Sequence, residues 1–584
     1  MRKTKILATL GPASCDVEVI KKMIQNGMDA ARINFSHGTG ESRRAIIENL
    51  KKAREELGKP IALLMDTKGP EIRIKTFETE KIYLEQGAGF TLTTRDIIGN
   101  KEIVSVSYDR LPGDLVENSR VMIDDGLLEL KVASIEGTEI HCTAVNSGFL
   151  SDRKSINVPD IYVNLPSLTP QDIEDIKFGI EMGFDYVAAS FVRSADDVLN
   201  IRKLLENNGG RHMRIIAKIE NRAGVDNLDG ILDLSDSIMV ARGDLGVEIP
   251  PEEVPLVQKR MIRAGNLVGK PVVTASHMLE SMCKNPRPTR AEANDVANAI
   301  FDGSDVVMLS GETANGLHPV ESVAIMARIA LEAENYIAAN EDGERRKRRA
   351  LNRITTSALS SAACATAEDL QAACIVPITD SGFAARMVAQ SRPKCPILAI
   401  TANEVVCRQL NLVWGCTPFL IEGLAGTDEV FAAAEEVAIK LGFATTGDPI
   451  ITLAGVPAGA ATTNSINVRT VGNVLVKGRG NKRGRVHGIA RPFTSQESRK
   501  QAYFEDGDII ICTVTNDDMM DFIKKAGAIV VGSWEDVDVS HAETVAKALE
   551  IPLLVADVKA VDFVRSGVPI TVDTDDGLMY NGYR

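Results

Sequence analysis

Charged residues follow several apolar segments of the sequence, and their types suit phosphate and metal chemistry. The segment RIIAKIE carries Lys218 and Glu220, and the segment SIMVARGDLG carries Asp244. Carboxylates are ligands that Mg²⁺ accepts, with water and phosphate oxygens completing its coordination. Lys218, together with Arg32 from the segment DAARINFS, would supply positive charge to a transferring phosphoryl group. The combination predicts metal-assisted phosphoryl transfer.

The same kind of polar residue recurs at the ends of other apolar segments. Each would be costly to bury without a partner, whereas together in one mouth they would form a mixed anion and cation site. Structural ion pairing could explain any single residue, but it does not explain the set as a whole. The set is Arg32, Asn34, Ser36, Asp66, Thr67, Lys68, Phe191, Arg193, Lys218, Glu220, Arg242, Asp244, Ser276, His277, Ser310 and Glu312.

The elements that must position these residues are alternating strands and helices. Eight apolar, β-type segments run from KTKILATLG to DVVMLSG, and most are followed by an amphipathic helical segment. Near-continuous apolar strands separated by helices indicate a parallel sheet, and eight such units predict a closed (β/α)8 TIM barrel. In such barrels the active site lies at the carboxyl ends of the strands, where the polar residues occur.

The chain is too long for one barrel, and three further domains are predicted. After PIALLMDTKGPEIR about a hundred residues precede the next helix, and their short strands, with a hairpin turn at Asp124-Asp125-Gly126, predict an inserted small antiparallel β-barrel. An open α/β domain with a parallel sheet and a separate β/α domain follow. The predicted boundaries are 1–70 with 166–345 for the catalytic barrel, 71–165 for the lid, 346–473 for the regulatory α/β domain and 474–584 for the last domain.

The composition of the chain indicates its cellular compartment and the classes of partner that are not expected. The net charge of −14 argues against a nucleic-acid partner, and the one basic run, KGRGNKRGR at 477–485, is interpreted as a solvated interdomain linker rather than a polyanion site. Apolar stretches are too short to span a membrane, and no membrane partner is expected. Nine cysteines without a CxxC pair indicate a reducing compartment, so a cytoplasmic location is expected.

Six segments resemble those of pyruvate kinases and occur in that family's order. They are ARINFSHG, LLMDTKGPEIR, IIAKIENRAGVDN, MVARGDLGVEIP, MLESMCKNPRPTRAEANDVANAIFDGSD and VMLSGETA. The resemblance covers roughly residues 1 to 472 and is far more specific than a lone glycine motif. It implies transfer of the phosphoryl group of phosphoenolpyruvate to ADP, giving pyruvate and ATP in the last step of glycolysis. Mg²⁺ or Mn²⁺, K⁺ and a homotetramer are also implied.

The resemblance also implies roles for individual residues. Glu220 and Asp244 would hold the divalent metal, Lys218 would stabilise the phosphoryl group and the enolate oxygen, and Arg32 would grip the phosphate. Ser276 would contact the substrate and relay a proton. Gly243, which lacks a side chain, would let backbone N–H groups approach the substrate carboxylate, and a tight packing turn is the alternative. The monovalent-cation site would consist of Asn34, Ser36, Asp66 and the Thr67 carbonyl, with Glu71 typical of the variant that requires K⁺; the nucleotide would meet Asn34, His37 and Arg73.

Two features near the predicted site concern motion and a departure from the family. Hinges at 68–70 and 165–166 would let the lid close over the nucleotide and exclude water. The family usually has Thr-Gln where this chain has Ser276-His277, so the hydroxyl is kept and a titratable ring is added. An altered pH profile and a packed, uncharged His277 are both compatible with the sequence.

An effector site is predicted in the regulatory α/β domain. Thr379, Asp380, Ser381 and Gly382 end a buried-type strand just before a helix, which is the geometry of a phosphate nest. The matching loop of pyruvate kinases binds a sugar phosphate or a nucleotide monophosphate. An ordinary helix cap is the alternative.

The last domain resembles the swivelling phosphohistidine domain of phosphoenolpyruvate-using enzymes, with His541 at the phosphohistidine position. Val539 replaces the usual Thr, so the domain is interpreted as a structural or regulatory module. Three other functions stay open: a dikinase that uses His541, a catalytically silent sensor of phosphoenolpyruvate, and a Mg²⁺-dependent lyase or aldolase acting on a pyruvate enolate.

Overall fold

The first three strands of the chain are short and buried on both faces, as expected of a parallel sheet covered by helices. A computed structural model describes residues 1–36, 38, 40–159, 161, 163, 165–340, 354–421, 427–456, 462–495, 503–532 and 538–583. The carboxylate of Asp16 caps the first helix by accepting the N–H groups of Glu18 and Val19. The elements are β1 (Lys5–Leu10), α1 (Val17–Gln25), β2 (Ala30–Asn34), α2 (Gly40–Leu57) and β3 (Ala62–Asp66).

A mainly β insertion follows β3, as predicted. Seven of its strands form one sheet in the order β4-β12-β8-β9-β10-β6-β7, and β5 pairs with β11. The bridge between Ile74 and Val106 joins the two edges of the sheet, so it is nearly closed. The elements are β4 (Ile72–Arg73), β5 (Lys81–Leu84), β6 (Gly89–Thr93), β7 (Ile103–Ser105), α3 (Leu111–Asp114), β8 (Arg120–Ile123), β9 (Leu128–Glu136), β10 (Glu139–Ala144), β11 (Gly148–Ser151) and β12 (Ser155–Asn157).

Two local predictions for this insertion can be compared with the structure. The hairpin at Asp124-Asp125-Gly126 is confirmed, because all three residues have left-handed backbone angles and β8 pairs antiparallel with β9. The all-antiparallel expectation was wrong for one pair, since β6 and β7 run parallel. An excursion of nine residues separates these two strands, which is more than a hairpin turn requires.

The barrel resumes after the insertion and closes with eight parallel strands in the order β1-β17-β16-β15-β14-β13-β3-β2, which confirms the predicted fold. The remaining strands are β13 (Tyr186–Ala189), β14 (Arg214–Ile219), β15 (Ser237–Ala241), β16 (Val272–Ala275) and β17 (Val306–Leu309). The helices are α4 (Pro170–Glu181), α5 (Ala195–Asn207), α6 (Arg222–Asp226), α7 (Leu228–Leu234), α8 (Arg242–Glu248), α9 (Val254–Val268), α10 (Arg290–Asp302), α11 (Gly311–Ala314) and α12 (Pro319–Asn340).

The α/β elements that follow are partly as expected. Strands β19 and β20 pair in parallel, but β21 pairs antiparallel with β22, a strand that the sequence analysis missed because no residue of it is fully buried. The elements are α13 (Thr355–Asp369), β18 (Cys374–Pro377), α14 (Phe383–Gln390), β19 (Ile397–Thr401), α15 (Glu404–Gln409), β20 (Cys416–Leu420), α16 (Thr427–Lys440), β21 (Pro449–Ala454) and β22 (Ser465–Thr470).

A second closed barrel of seven strands completes the chain, in the order β23-β27-β26-β25-β24-β28-β29. Its strands β24 to β27 are parallel neighbours, whereas β28 and β29 pair antiparallel. The elements are β23 (Val474–Gly480), β24 (Arg485–Phe493), β25 (Ile509–Cys512), α17 (Met520–Ile523), β26 (Ala528–Gly532), α18 (Ser540–Leu549), β27 (Leu553–Ala556), β28 (Pro569–Asp573) and β29 (Leu578–Asn581).

The interpretation of 477–485 as an interdomain linker was wrong, because the run ends β23, turns and begins β24. Its glycines serve close packing rather than flexibility. A Cβ atom on Gly478 would lie 2.0 Å from the carbonyl oxygen of Val555, and one on Gly480 would lie 2.0 Å from that of Thr574. No Cβ atom fits at these two positions. The glycines that close packing requires therefore gave this run the composition of a linker.

Two compact units make up the chain. One comprises Met1–Ser361 with Pro377–Gly423, and the other comprises Ala362–Val376 with Leu424–Arg584. The first unit contains the eight-stranded barrel and its insertion, and the second contains the seven-stranded barrel. In the first unit, the strands and the surrounding helices bury a continuous apolar core that includes Ile6, Leu63, Ile215 and Val240.

Candidate active site

Arg32 and Asp66 form the first ion pair at the carboxyl end of the barrel strands. Strand β2 lies beside β3 with Asn34 opposite Asp66, so the ends of the two strands meet. The Nε atom of Arg32 lies 2.5 Å from Oδ2 of Asp66, and its Nη1 donates to the Thr9 hydroxyl over 2.9 Å. Burial would raise the pKa of Asp66, but Arg32 and Lys218 outweigh it and hold that pKa below its usual value. The pair is therefore charged and fixed in place.

Lys218 joins this pair from β14. Its Nζ atom lies 3.0 Å from Oδ1 of Asp66 and 2.9 Å from Oε1 of Glu220, and it donates to the Ser190 hydroxyl over 2.7 Å. The residue is only 9% exposed. Burial opposes the charged form, but Asp66, Glu220 and Asp244 outweigh it and raise the pKa of Lys218. The ammonium is charged throughout the physiological range.

Glu220 is deeply buried, with 1% of its surface exposed. Its Oε2 accepts the Phe191 N–H at 2.5 Å. Burial, with a contribution from the charge of Asp244, raises the pKa of Glu220 to about 7, despite the nearby Lys218. Asp244 lies exposed in the first turn of α8. Two carboxylates that repel each other at the mouth form a site that a divalent cation would stabilise.

The predicted K⁺ ligands lie at the adjoining ends of β2 and β3. Asn34 Oδ1 accepts the Ser36 N–H at 3.0 Å, and the Thr67 carbonyl accepts the Ser190 hydroxyl at 2.7 Å. Asp66 lies between them in the chain and opposite Asn34 in the sheet. The structure therefore brings all four predicted ligands to one edge of the barrel. His37 lies outside the described residues.

Ser276 and His277 follow β16 in a left-handed turn, with φ angles of 72° and 53°. Such angles are rare for residues other than glycine. The guanidinium of Arg242 donates to the carbonyl oxygens of Ala275 and Ser276. A Cβ atom on Gly243 would lie 3.4 Å from the Ser276 hydroxyl, so the turn presents that hydroxyl beside the predicted substrate glycine.

The sequence analysis grouped Ser310 and Glu312 with the site, but in the structure Glu312 holds two backbone segments together. The Glu312 carboxylate is 1% exposed and accepts the N–H groups of Leu279 and Ser310 at 3.0 and 2.7 Å. Burial raises the pKa of Glu312. It joins the segment after β16, which begins with the Ser276 turn, to the segment after β17.

Ser190 and Thr9 were missed by the sequence analysis. Ser190 is 5% exposed and connects Lys218 to the Thr67 carbonyl through its hydroxyl. Its position directly after β13 is the same signal that identified the other residues, so position could have found it. Thr9 lies inside β1 and its role depends on the side chain of Arg32, which sequence spacing does not reveal.

A cavity of about 450 Å³ lies between the barrel mouth and the insertion. Asp244, Asn221 and Arg193 line it on the barrel side, and Arg73 and Lys154 line it on the insertion side. This volume lies in the range of small-molecule sites. The predicted nucleotide residue Arg73 and the predicted metal ligand Asp244 therefore line the same cavity.

Arg73 and Arg193 are anchored near the predicted hinges. Arg73 lies 2.7 Å from Glu71 and donates to the Arg153 carbonyl over 2.7 Å. Arg193 donates to the carbonyl oxygens of Val163 and Leu165 at 3.0 and 2.8 Å. Arg73 therefore lies beside one of the two segments that connect the insertion to the barrel, and Arg193 contacts the other.

The predicted effector loop lies at the start of α14. Gly382 has a φ angle of 75° and occupies the N-cap position without a side-chain cap among the described residues. Asp380 and Ser381 are exposed, and Arg214 and Arg386 donate to the Ser381 carbonyl at 3.1 and 3.3 Å. Uncapped helix N–H groups beside two arginines suit an anion.

His541 lies in the first turn of α18, in the seven-stranded barrel. Its Nδ1 lies 2.8 Å from the Thr515 hydroxyl, and its Nε2 lies 3.3 Å from Oδ1 of Asp517. Val539, at the N-cap, provides no side-chain cap. The ring is held by two neighbours, and a carboxylate stands where an incoming anionic phosphoryl group would be repelled.

The described part of the chain has no cluster of three or more His, Cys, Asp or Glu side chains that could hold a metal ion. A divalent ion at Glu220 and Asp244 would therefore take its remaining oxygens from substrate and water, as Mg²⁺ sites commonly do. Among the helices that the structure describes, none is long and apolar enough to cross a membrane.

Comparison with known proteins gives three consecutive family matches. Residues 1–323 match the family described as "Pyruvate kinase, barrel domain", and residues 357–469 match "Pyruvate kinase, alpha/beta domain". Residues 504–577 match "PEP-utilising enzyme, mobile domain". The matches fall on the eight-stranded barrel, the α/β elements and the seven-stranded barrel in turn.

Several pyruvate kinases of other organisms are similar in sequence over most or all of the chain. A pyruvate kinase of Sporosarcina psychrophila is 44% identical over 587 residues, which covers 100% of this chain and 99% of that protein. A pyruvate kinase of Bacillus licheniformis is 45% identical, with the same coverage. A crystal structure of a pyruvate kinase from Cryptosporidium parvum superposes with a TM-score of 0.77 and 38% identity, covering 80% of this chain and 96% of that one.

Proposed function

The chain belongs to the pyruvate kinase family of phosphotransferases, and on that premise we propose that it transfers the phosphoryl group of phosphoenolpyruvate to ADP with the help of Mg²⁺ or Mn²⁺ and of K⁺. The products would be pyruvate and ATP. The observation that carries the proposal is the contact of one ammonium group, that of Lys218, with both Asp66 and Glu220 at the barrel mouth.

Lys218 and Arg32 would hold the phosphoryl group as it moves. Both cations are fixed by Asp66 before any substrate arrives, so no reorganisation is needed when negative charge develops. Catalysis of phosphoryl transfer depends mainly on positioning the reactants and stabilising the developing charge, and two fixed cations provide both. Lys218 would also stabilise the enolate oxygen that remains after the transfer.

Glu220 and Asp244 would hold the divalent metal. When bound, this ion supplies Lewis-acid polarisation of phosphoryl and enolate oxygens. The hard carboxylate donors fit the ion, and burial, with a contribution from the charge of Asp244, raises the pKa of Glu220, so a bound divalent cation would favour its charged form. Asn34, Ser36, Asp66 and the Thr67 carbonyl would hold K⁺, and Glu71 accords with a K⁺-requiring enzyme.

Ser276 would deliver the last proton. Its hydroxyl lies beside Gly243, where the carboxylate end of the substrate would bind, and it would pass a proton to the methylene carbon of the enolate and regain one from solvent. The adjacent His277 is exposed, so the expectation of a packed side chain was wrong. Asn34, His37 and Arg73 would meet the nucleotide, and closure of the insertion about 68–70 and 165–166 would exclude water.

The remaining parts of the proposal concern regulation and assembly. The domains are proposed as 1–70 with 166–345, 71–165, 346–473 and 474–584. Residues Thr379 to Gly382 would bind a small phosphorylated activator, and the last domain would act as a structural or regulatory module. A homotetramer and a cytoplasmic location complete the proposal.

A coupled assay for pyruvate tests the function directly. With phosphoenolpyruvate and ADP, we expect turnover only when Mg²⁺ or Mn²⁺ is present together with K⁺. Turnover that does not require ADP would indicate a lyase or phosphatase. Absence of turnover with both ions present would overturn the proposal.

A further inference from the structure

A second, larger cavity of about 740 Å³ lies at the opposite end of the eight-stranded barrel. Its lining includes Met1 to Lys3, which precede β1, and Gly303 with Ser304, which precede β17. The proposed active site follows the carboxyl ends of these strands, so the two cavities are separated by the barrel core. The volume lies within the range of small-molecule sites.

The lining of this cavity is strongly basic. Among the residues that the structure describes, two acidic side chains, Asp302 and Glu334, line it. The cationic side chains that line it are Arg2, Lys3, Lys259, Arg263, Arg392 and Lys394. The chain as a whole carries a formal charge of −14, so the positive charge of this cavity is opposite in sign to the net charge of the protein.

Part of the charge has a structural role. Arg2 lies 2.7 Å from Asp29, and Arg392 lies 2.8 Å from Asp305 and donates to the Gly303 carbonyl at the end of α10. Cations at helix carboxyl ends are stabilising without any ligand. These contacts explain why Arg2 and Arg392 are present, but they also hold their guanidinium groups in fixed positions.

Arg263 is different. It lies exposed on α9, and the structure gives it no ion pair or side-chain hydrogen bond within the described part of the chain. The two acidic groups of the lining are already engaged, since Asp302 pairs with Lys259, and Glu334 accepts the N–H groups of Lys3 and Thr4. The charge of Arg263 is therefore available to an anion in the cavity.

Trp414 also lines the cavity and contacts two of its cations. Its ring lies 4.5 Å from the guanidinium carbon of Arg392 and 5.1 Å from Nζ of Lys3. Cation–π contacts of this kind hold long side chains that would otherwise lose conformational entropy on binding. Phe301, 43% exposed, adds an apolar surface to the lining.

We infer that this cavity binds a compact phosphorylated anion, a polyphosphate or a phosphate ester, at a site separate from the proposed active site and effector loop. Guanidinium forks and ammonium groups on several sides suit the several oxygens of phosphate groups. A singly charged anion would gain little from so many cations.

Tryptophan fluorescence provides a test that reports only on this cavity. The chain has two tryptophans, and Trp534→Phe leaves Trp414 as the single reporter. Inorganic pyrophosphate is titrated into this full-length variant with a metal chelator at constant ionic strength. We expect a saturable change in Trp414 emission with a Kd of about 1 mM or tighter.

Two arginines on one helix supply the matched comparison. In the Trp534→Phe background, Arg263→Ser should raise the Kd at least about fivefold, as loss of one charge-assisted contact would. Arg260→Ser, also exposed on α9 but outside the lining, should change it less than about twofold. Thermal unfolding of both variants establishes that they are folded.

Several results would overturn the inference. One is the absence of a saturable change in Trp414 emission. Another is the same Kd for Arg263→Ser as for its parent. An equal response to sodium sulfate at matched ionic strength would show general screening instead of a site. Tighter binding of citrate than of pyrophosphate would reject the phosphate class.

Discussion

Arg242 donates to the carbonyl oxygen of Ser276 over 2.6 Å, and Asp295 holds the same guanidinium from the other side at 2.7 and 2.8 Å. Ser276 and His277 are consecutive left-handed residues. Each such residue costs about 1–2 kcal/mol and persists only where its surroundings enforce it. Arg242 contacts the backbone of this turn directly and so helps to fix the position of the Ser276 hydroxyl.

Replacing Arg242 by Lys should reduce kcat about 10- to 100-fold, because a lysine cannot reproduce the fork and a small displacement of a reacting group is costly. The KM for phosphoenolpyruvate should change much less. Steady-state kinetics measures both. Arg202→Lys, which disturbs a comparable pair with Asp236 on the outside of the barrel, should leave kcat unchanged. Full kcat in Arg242→Lys would show that the turn holds without this contact.

Replacing Lys218 by Met should reduce kcat by about 10³-fold or more, because a fixed charge at the developing negative charge is lost. It should also lower the free energy of unfolding by about 3–5 kcal/mol, since Asp66 and Glu220 remain buried beside a neutral side chain. The coupled assay and urea unfolding measure the two effects. Lys177→Met, which removes an exposed pair with Glu174, should change both very little. Turnover near the normal value would remove Lys218 from the mechanism.

Exchange of K⁺ for tetramethylammonium should lower kcat at least about tenfold, because the oxygen donors at Asn34, Asp66 and Thr67 would lose their cation. Returning K⁺ should restore activity. Ser36→Ala should raise the K⁺ concentration needed for half activity by about threefold or more, as loss of one ligand would. Full activity in tetramethylammonium would contradict the proposed site.

Replacing His541 by Ala should leave turnover of phosphoenolpyruvate and ADP within about twofold of normal, since the ring is engaged by Thr515 and faces a carboxylate, Asp517. The coupled assay on the full chain measures this. A loss of turnover in a variant that still unfolds cooperatively would favour a dikinase that carries the phosphoryl group on His541.

Glu139 gives the insertion a pH-dependent contribution to stability. Hydrogen bonding to Arg95, which outweighs desolvation, lowers the pKa of Glu139 to about 2. A lowered carboxyl pKa stabilises the folded state above the ordinary value of 4.5 and loses that effect as the pH falls toward about 2. Because the pair is exposed, Glu139→Gln should cost about 1 kcal/mol or less at pH 7.

The check is hydrogen exchange of the amides of β6 and β10 in the full chain. The difference between Glu139→Gln and the unaltered protein should be present at pH 7 and should shrink below about pH 4. A difference that grows as the pH falls would contradict the assigned sign.

The barrel was predictable because its strands are buried on both faces and therefore read as apolar runs, and because polar side chains at their carboxyl ends have few structural explanations. The contacts of Ser190 and Arg242 were not predictable, since they depend on side-chain directions and on carbonyl positions across strands. Strand β22 has no buried face to signal it. The run at 477–485 misled because glycines needed for close packing look like glycines of a linker.

In the seven-stranded barrel, β23 pairs with β29, so Val474 finds its partner in Tyr580, more than a hundred positions later. Contacts between residues so distant in sequence form slowly. A growing chain cannot complete this barrel before Tyr580 has been synthesised and released from the ribosome. Until then the edges of β23 and β28 remain open, so this part of the chain is exposed to strand-to-strand aggregation while it is being synthesised.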